Sequence, residues 1–204
     1  MGLWLEQVVP RVGDRAMDDP ALRVVRERTC AGLSGEVLEI GFGSGLNVPH
    51  YPPAVRSVAA VEPSDVGWRL AGVRLAAARV PVQRAGLDGQ SLPFADDSVD
   101  AALSTFSLCT IPDAAAALRE VRRVLRPGGA LHFAEHGLAP DEGVRRWQLR
   151  LDPLNSLVQG GCHITRPIDE LVAGAGLVVE RLDRYYLPKA PRPFAHVYEG
   201  VARA

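Results

Sequence analysis

The sequence predicts an α/β fold with a Rossmann-like, doubly wound, seven-stranded sheet. We expect the sheet to be mostly parallel, with one antiparallel C-terminal strand and helices on both faces. Two observations predict this fold. Short apolar runs alternate with helical patterns along most of the chain, which indicates parallel strands joined by crossover helices. The last two strand candidates have no helical pattern between them, so one of that pair is expected to run antiparallel.

Seven segments have the composition of strands. Several are apolar almost throughout, as expected where a parallel sheet is covered on both faces. The segments are residues 36–41, 57–62, 81–85, 98–104, 129–135, 177–187 and 194–203. The link between the last two, PKAPRP, is typical of a hairpin-like or edge connection rather than a right-handed crossover.

Helical patterns separate most of these strand candidates. Helices are predicted over residues 20–31, 65–79 and 113–126, and near 167–174. Ser64 is the predicted N-cap of the second helix, and Pro127-Gly128-Gly129 is expected to end the third. Pro49, Pro52 and Pro53 are expected to shorten any helix that follows the first strand.

Length and composition predict one domain of ordinary globular type. The chain has 204 residues, of which 47% are apolar and 23% are charged. Residues 1–34 are expected to form an N-terminal helical cap. Residues 136–166 exceed a simple connection and are expected to form an insertion on the substrate side. A monomer or a homodimer is expected.

Charge, cysteines and hydropathy restrict the partners and the location. The formal net charge of −1 gives no electrostatic reason to expect a nucleic-acid partner. Three cysteines without a C-x-x-C motif are typical of a reduced cytosolic protein. The first residues show no signal-peptide pattern, and the longest apolar uncharged stretch is residues 101–112, where a membrane span needs about 20 residues. We therefore expect a cytoplasmic protein without an integral membrane segment.

A glycine-rich turn, EIGFGSGLN at residues 39–47, follows the first strand candidate. A dinucleotide fingerprint would place its third glycine at Leu46, whereas the third glycine here is Gly45. Glu62 ends the second strand candidate, at the distance from Gly41 where nucleotide-binding folds place a carboxylate for the ribose hydroxyls. Together they predict an adenosine-containing cofactor. The alternatives are a tight turn without a ligand and a solvated strand-end carboxylate.

Four motifs in order, VLEIGFGSG, VEPS, LDGQSLPFADDSVD and EVRRVLRPGG, resemble the class I S-adenosylmethionine (SAM)-dependent methyltransferases, in particular the UbiE-like methyltransferase domain. LNVPHYPP, LCTIPD, AEHG, LDPL and GGCHITR are similar to the thiol methyltransferase branch and extend the resemblance to about residues 30–200. The sequence departs from the family at Gln90, where Glu is frequent, and at His163, where Asn is also found. The resemblance implies one methyltransferase domain over residues 1–204, with SAM as cofactor and S-adenosylhomocysteine as product.

The resemblance also implies which residues contact the cofactor. In that family the glycine turn and the acid before it hold the methionine part of SAM, and the acid after the second strand binds the ribose hydroxyls. The acid before the LPF motif, which is Asp88 here, binds the adenine amino group. The implied cofactor residues are Glu39, Gly41, Phe42, Gly43, Gly45, Asn47, Glu62, Pro63, Asp88, Gly89, Ser104 and Thr105.

The residues after the fifth strand candidate are expected to face the methyl acceptor. Trp147, Cys162 and Arg166 are the predicted pocket wall, with His163 or His136 as a catalytic base. No metal is predicted, because the adjacent Cys162 and His163 cannot easily both face one ion. Two alternatives stay open: a nucleophilic Cys162, or packing of Trp147 and Cys162 with Arg166 solvated or capping a helix.

The predicted reaction is in-line displacement at the SAM methyl by a small-molecule acceptor, for which a thiol is one candidate. The neutral leaving group needs no acid, so the protein has to align and desolvate the acceptor. The alternatives are O-, N- or C-methylation of a small metabolite or quinol, an NAD-dependent oxidoreductase on a similar fold, and a SAM-binding protein without catalysis.

Overall fold

Seven strands form one sheet in the computed structural model, which describes residues 2–204. Met1, the first residue of the predicted N-terminal cap, lies outside the described residues. The strands are β1 Gly35–Ile40, β2 Val55–Val61, β3 Val82–Gly86, β4 Val99–Thr105, β5 Leu125–His136, β6 Val178–Tyr186 and β7 His196–Arg203. Their order is β3-β2-β1-β4-β5-β7-β6, and β7 runs antiparallel to both of its neighbours while the other pairs are parallel. The predicted fold class is confirmed.

Eight α-helices flank the sheet within residues 2–204. They are α1 Val9–Met17, α2 Pro20–Cys30, α3 Asp65–Leu70, α4 Gly72–Ala76, α5 Ala114–Val124, α6 Glu142–Val158, α7 Ile168–Gly174 and α8 Arg192–Ala195. A π-helical turn at Trp4–Val8 precedes α1, and a 3₁₀ turn at Val48–His50 follows β1. No helix in this part of the chain has both the length and the apolar character needed to cross a bilayer.

Polar side chains fix where three of the helices begin. Asp19 accepts a hydrogen bond from the Ala21 N–H at 2.8 Å at the start of α2. At the start of α3, the Ser64 hydroxyl, the predicted N-cap, accepts from the Gly67 N–H. At the start of α5, the Asp113 carboxylate accepts from the Ala116 N–H. Each side chain satisfies a backbone donor that has no partner within its own helix.

Two predicted helices end earlier than expected. The helix predicted over residues 65–79 is divided into α3 and α4 at Gly72, where glycine weakens a helix by about 1 kcal/mol relative to alanine. The helix predicted over residues 113–126 ends at Val124, and β5 begins at Leu125, beside Val99 of β4. Pro127 disfavours helical backbone at the residue before it, so the chain turns to extended geometry earlier than the Pro-Gly-Gly motif itself.

The connections also differ from the prediction. Residues 87–98 contain no helix between β3 and β4, so the expected crossover helix was wrong there. The prolines after the glycine turn leave only the 3₁₀ turn between β1 and β2, as predicted. The predicted insertion at residues 136–166 contains the long helix α6, and the link between β6 and β7 contains the single turn α8.

Buried residues form a core on each face of the sheet, as expected for helices on both sides. Alternate residues of β1 point to opposite faces, so Val37 joins one core with Cys30 of α2, while Leu38 joins the other with Leu118 of α5. The parallel strands all end at one edge of the sheet. Ligands bind at this edge in open α/β sheets, and here it carries the glycine turn, Glu62 and the residues after β4.

Candidate functional site

Two adjoining cavities open at the carboxyl ends of the strands, with volumes of about 260 and about 990 Å³. Both are lined by the glycine turn, by Glu62 and by Phe106 and Ser107 after β4. The π-helical turn and α1 contribute further lining, so the N-terminal segment covers this edge. The predicted cofactor residues that line one or both cavities are Gly41, Phe42, Gly43, Glu62, Pro63, Asp88, Gly89 and Thr105.

The glycine turn has the backbone geometry that glycine allows. Gly41, Gly43 and Gly45 have φ angles of 69°, 59° and 76°, in the left-handed region. A Cβ on Gly41 would lie 2.2 Å from the Ser107 hydroxyl oxygen, so this position has no room for a side chain. Gly45 lines neither cavity. The Phe42 ring packs closely against Gly45, and a Cβ added to Gly45 would lie 3.2 Å from that ring.

Glu62 fastens the glycine turn to the end of β2. One carboxylate oxygen accepts from the Gly43 N–H at 2.6 Å, and the other accepts from the Ser64 N–H at 2.7 Å. Burial raises the pKa of Glu62. Glu62 lines both cavities.

Glu39 and Asn47 lie behind the cavity wall. Glu39 is 1% exposed, and it accepts hydrogen bonds from the Asn47 side-chain amide at 3.0 Å and from the Tyr51 hydroxyl. Burial raises the pKa of Glu39 to about 7. Neither Glu39 nor Asn47 lines a cavity, and their hydrogen bonds hold the segment after the glycine turn against β1.

Arg26 of α2 is a site residue that the sequence analysis missed. Its guanidinium lines the smaller cavity and donates to the Asn47 side-chain oxygen at 3.0 Å and to the Thr105 hydroxyl at 2.6 Å. It also lies over the Phe106 ring, 5.4 Å from the centroid. Its Nε is buried and has no hydrogen-bond partner among the described residues. The one signal in the sequence is an arginine on the mostly apolar face of α2, between Val25 and Cys30.

Asp88 and Gln90 form a polar pair in the wall of the larger cavity. One Asp88 carboxylate oxygen accepts from the Gln90 backbone N–H at 2.8 Å and from its side-chain amide at 3.0 Å. The Gln90 amide lowers the pKa of Asp88. The Gln90 side-chain oxygen accepts from the Asp113 N–H at 2.8 Å, which ties this loop to the start of α5. Glutamine at this position therefore holds Asp88 in place through its amide.

Glu135 shapes the loop after β4. This fully buried carboxylate accepts from the Ser104 hydroxyl at 2.6 Å and from the backbone N–H groups of Ser107 and Leu108 at 3.2 and 3.1 Å. Burial raises the pKa of Glu135 to about 7. Ser104 is thus a support behind the wall, while the loop that it helps to fix presents Phe106 to both cavities.

The predicted acceptor-side residues line neither of the two cavities. The His136 ring is 4.8 Å from the Phe106 ring, between centroids. The His163 Nδ1 is 2.8 Å from an Asp152 carboxylate oxygen. The Cys162 sulfur is 3.5 Å from that of Cys109. His136 contacts Phe106 of the loop after β4, and Cys162 and His163 contact Cys109 of the same loop.

The other two predicted residues, Arg166 and Trp147, also line neither cavity. Arg166 donates to the Leu108 and Pro112 carbonyl oxygens and so fixes the loop after β4. Trp147 is 56% exposed on α6, with the Arg150 guanidinium over its ring. Among residues 2–204, no group of three or more His, Cys, Asp and Glu side chains is placed to hold a metal ion.

Comparisons with known proteins show which proteins this chain resembles. Residues 38–133 match the family described as the methyltransferase domain. Human thiol S-methyltransferase TMT1A is 38% identical over 142 residues, which are 67% of this chain and 58% of the relative. A demethylmenaquinone methyltransferase of Clavibacter sepedonicus is 32% identical over 130 residues, 63% of this chain and 53% of that protein. The chain therefore spans little more than half the length of these relatives.

A solved structure shows the same fold over its whole length. The SAM-dependent methyltransferase from Thermotoga maritima covers 100% of this chain and is itself covered completely, with a TM-score of 0.69 and 20% identity. This likeness concerns the arrangement of strands and helices. The similarity to methyltransferases in sequence comes from the family match and the sequence relatives.

Proposed function

We propose that this chain, whose residues 38–133 match the methyltransferase domain family, transfers the methyl group of SAM to a small-molecule thiol. One observation carries the proposal. Eight of the residues implied as cofactor contacts by the resemblance line two adjoining cavities at the strand edge, and Arg26 adds a buried cation there. The thiol as acceptor is supported by the 38% identity to a thiol S-methyltransferase.

The residues of the two cavities fit SAM. Its carboxylate matches Arg26, whose buried Nε has no partner among the described residues. Its ribose hydroxyls match the Glu62 carboxylate, and its adenine matches the cavity wall at Asp88. When bound, SAM supplies an electrophilic methyl group on a sulfonium. An NAD-dependent oxidoreductase, the alternative on a similar fold, receives no support from the family match.

The loop after β4 positions the acceptor in this proposal. Glu135 holds the backbone of Ser107 and Leu108, and Phe106 consequently faces both cavities. An aromatic wall excludes water from the acceptor and increases its nucleophilicity. The protein aligns the acceptor with the methyl group through this rigid loop, because in-line transfer depends on geometry more than on acid catalysis.

His163 is the proposed proton acceptor. One Asp152 carboxylate oxygen lies 2.8 Å from the His163 Nδ1, and the other accepts a hydrogen bond from the Ile164 N–H at 2.7 Å. Both oxygens of the carboxylate are therefore held in place. A proton on Nδ1 leaves Nε2 free to take a proton from the acceptor, and Asp152 stabilises the imidazolium that forms. A thiol with a pKa of about 8.5 needs this help only below that pH. His136, beside Phe106, is the second candidate for this role.

The proposal is tested by S-adenosylhomocysteine formation across thiols, phenols, amines and quinols at several pH values. We expect turnover with a thiol, and a lower rate in His163→Ala than in the wild type below the pKa of the thiol, while His50→Ala keeps the wild-type rate. A rate that follows only the ionisation of the free thiol would overturn the role of His163 and leave thiol methylation standing. Turnover confined to quinols would favour the activity named for the Clavibacter relative, and no turnover would favour a non-catalytic SAM-binding protein.

A further inference from the structure

Two buried thiols face each other beside the acceptor side of the site. The sulfur atoms of Cys109 and Cys162 are 3.5 Å apart, although the residues are 53 positions apart in the sequence. Both cysteines are free, and they form a small buried cluster with Ile164 that is separate from the two main cores. Cys30, the remaining cysteine, belongs to the core beneath α2.

The pair connects two segments that build the larger cavity. Cys109 lies in the loop after β4, and the next residue, Thr110, lines the cavity. Cys162 lies after α6, and Gly160, two residues before it, lines the same cavity. The His163 N–H donates to the Cys109 carbonyl oxygen at 2.8 Å, so the two segments already touch through their backbones.

The surroundings of the pair favour one thiolate beside one thiol. The Cys109 thiol and the His136 imidazole stabilise the Cys162 thiolate and lower the pKa of Cys162 below its ordinary value. The neighbouring sulfur and burial raise the pKa of Cys109 well above its ordinary value. A thiolate is the form of cysteine that peroxides oxidise, and Cys162 retains 8% exposure next to a cavity.

We propose that Cys109 and Cys162 are an oxidation site, at which hydrogen peroxide closes a reversible disulfide between the loop after β4 and the segment after α6. The Cys162 sulfur attacks one peroxide oxygen; an S–O bond forms, the O–O bond breaks, and the hydroxide released takes up a proton to become water. The Cys109 sulfur then attacks the Cys162 sulfur, forming the S–S bond. The Cys109 proton and the hydroxyl group leave as a second water, so two thiols are oxidised and one peroxide is reduced.

Oxidation changes the acceptor side more than the cofactor side. A disulfide has an S–S length of about 2.05 Å, so the sulfur atoms approach by about 1.5 Å and draw the two segments together. A misplacement of about 1 Å at a reacting group costs about 100-fold in rate. The oxidised protein should therefore lose at least about tenfold in kcat/KM for methyl transfer, while binding of S-adenosylhomocysteine at Glu62 and Arg26 is retained. Only this loss of turnover rests on the proposed function.

The test treats the full chain with hydrogen peroxide, blocks the remaining thiols and digests without reduction. We expect a peptide pair joined through Cys109 and Cys162, an intact mass lower by two hydrogens, and reversal by a phosphine reductant, which cannot itself act as a thiol acceptor. Cys30→Ser is the matched control, because Cys30 is also buried but packs away from the pair. This variant should form the same bridge, and Cys109→Ser should not.

Complete alkylation of both Cys109 and Cys162 after peroxide treatment would overturn the proposal. A bridge that forms without loss of turnover would overturn its effect on the reaction and leave the oxidation site. Calorimetric titration with S-adenosylhomocysteine is performed on the reduced and oxidised samples. If neither sample binds it while the bridge forms, the proposed function fails and the oxidation site stands.

Discussion

Arg26 is the residue whose surroundings bear most directly on the cofactor. Its guanidinium donates to Asn47 and Thr105 and keeps Nε without a partner among residues 2–204. Arg26→Met should weaken SAM binding by about 10- to 100-fold, because a hydrogen bond to a charged group is worth about 1.5–3 kcal/mol. Isothermal titration with SAM measures the change.

The control for this variant lies on the same helix. Arg23 is exposed on α2 and pairs with Asp18 outside the cavities. Arg23→Met should leave SAM affinity within about twofold, since a surface ion pair contributes little. Equal affinities for the two variants would remove Arg26 from the cofactor site.

Gly41 should not tolerate a side chain. Its φ of 69° strains any other residue, and an added Cβ would meet the Ser107 side chain at 2.2 Å. Gly41→Ala should lower the free energy of unfolding by about 2 kcal/mol or more and weaken SAM binding. Gly72→Ala, where an added Cβ meets nothing within 4 Å, should be neutral or stabilising in the same denaturant titration. Similar losses in both variants would contradict this account of the turn.

Glu39 should make stability depend on pH. Its pKa is 4.5 as an ordinary side chain and about 7 in the fold, so folding favours the protonated carboxyl. This contribution is fully present below pH 4.5 and is lost as the pH rises through 7, and it amounts to roughly 3 kcal/mol at most. Glu39→Gln cannot titrate. In protein without SAM, the wild-type free energy of unfolding should therefore fall relative to that of the variant between pH 5 and 8, and parallel curves would contradict the shift.

At the scale of elements, the N-terminal segment covers the cavities without contributing to the core. The π-helical turn and α1 contain no buried residues, yet Leu5, Val9 and Met17 line the cavities. Deletion of residues 2–17 should leave the far-UV circular dichroism of the sheet and the main unfolding transition in place. SAM affinity should fall by at least about tenfold, because the cover excludes water. Unchanged affinity would show that this segment is not part of the site.

The strands were predictable because each one carries its own local signal. Apolar runs, N-caps such as Ser64 and the prolines after the glycine turn act within a few residues of where they stand. Helix α6 was missed for the opposite reason. Its two buried residues are the polar Gln148 and Asn155, while Leu154 and Leu157 are exposed, so its apolar residues do not mark the packed face.

At the scale of the whole molecule, the residues implied for the cofactor include eight that line the cavities, whereas the residues predicted for the acceptor line neither cavity. The glycine turn and Glu62 follow directly from strand ends, and topology brings strand ends to one edge. Arg26, the Asp152–His163 pair and the Cys109–Cys162 pair join residues from distant parts of the chain. No spacing in the sequence reports such contacts, because tertiary packing alone creates them.

The most direct test of the central claim follows the methyl group itself. SAM carrying a trideuterated methyl group is incubated with the protein and a small-molecule thiol, and both products are measured by mass spectrometry. We predict a trideuteromethyl thioether that accumulates in equal amount to S-adenosylhomocysteine over many turnovers. Its formation should fall strongly when Arg26→Met replaces the wild type at a SAM concentration well below saturation. S-adenosylhomocysteine without the labelled thioether, or no consumption of SAM in the presence of any thiol, would contradict the claim.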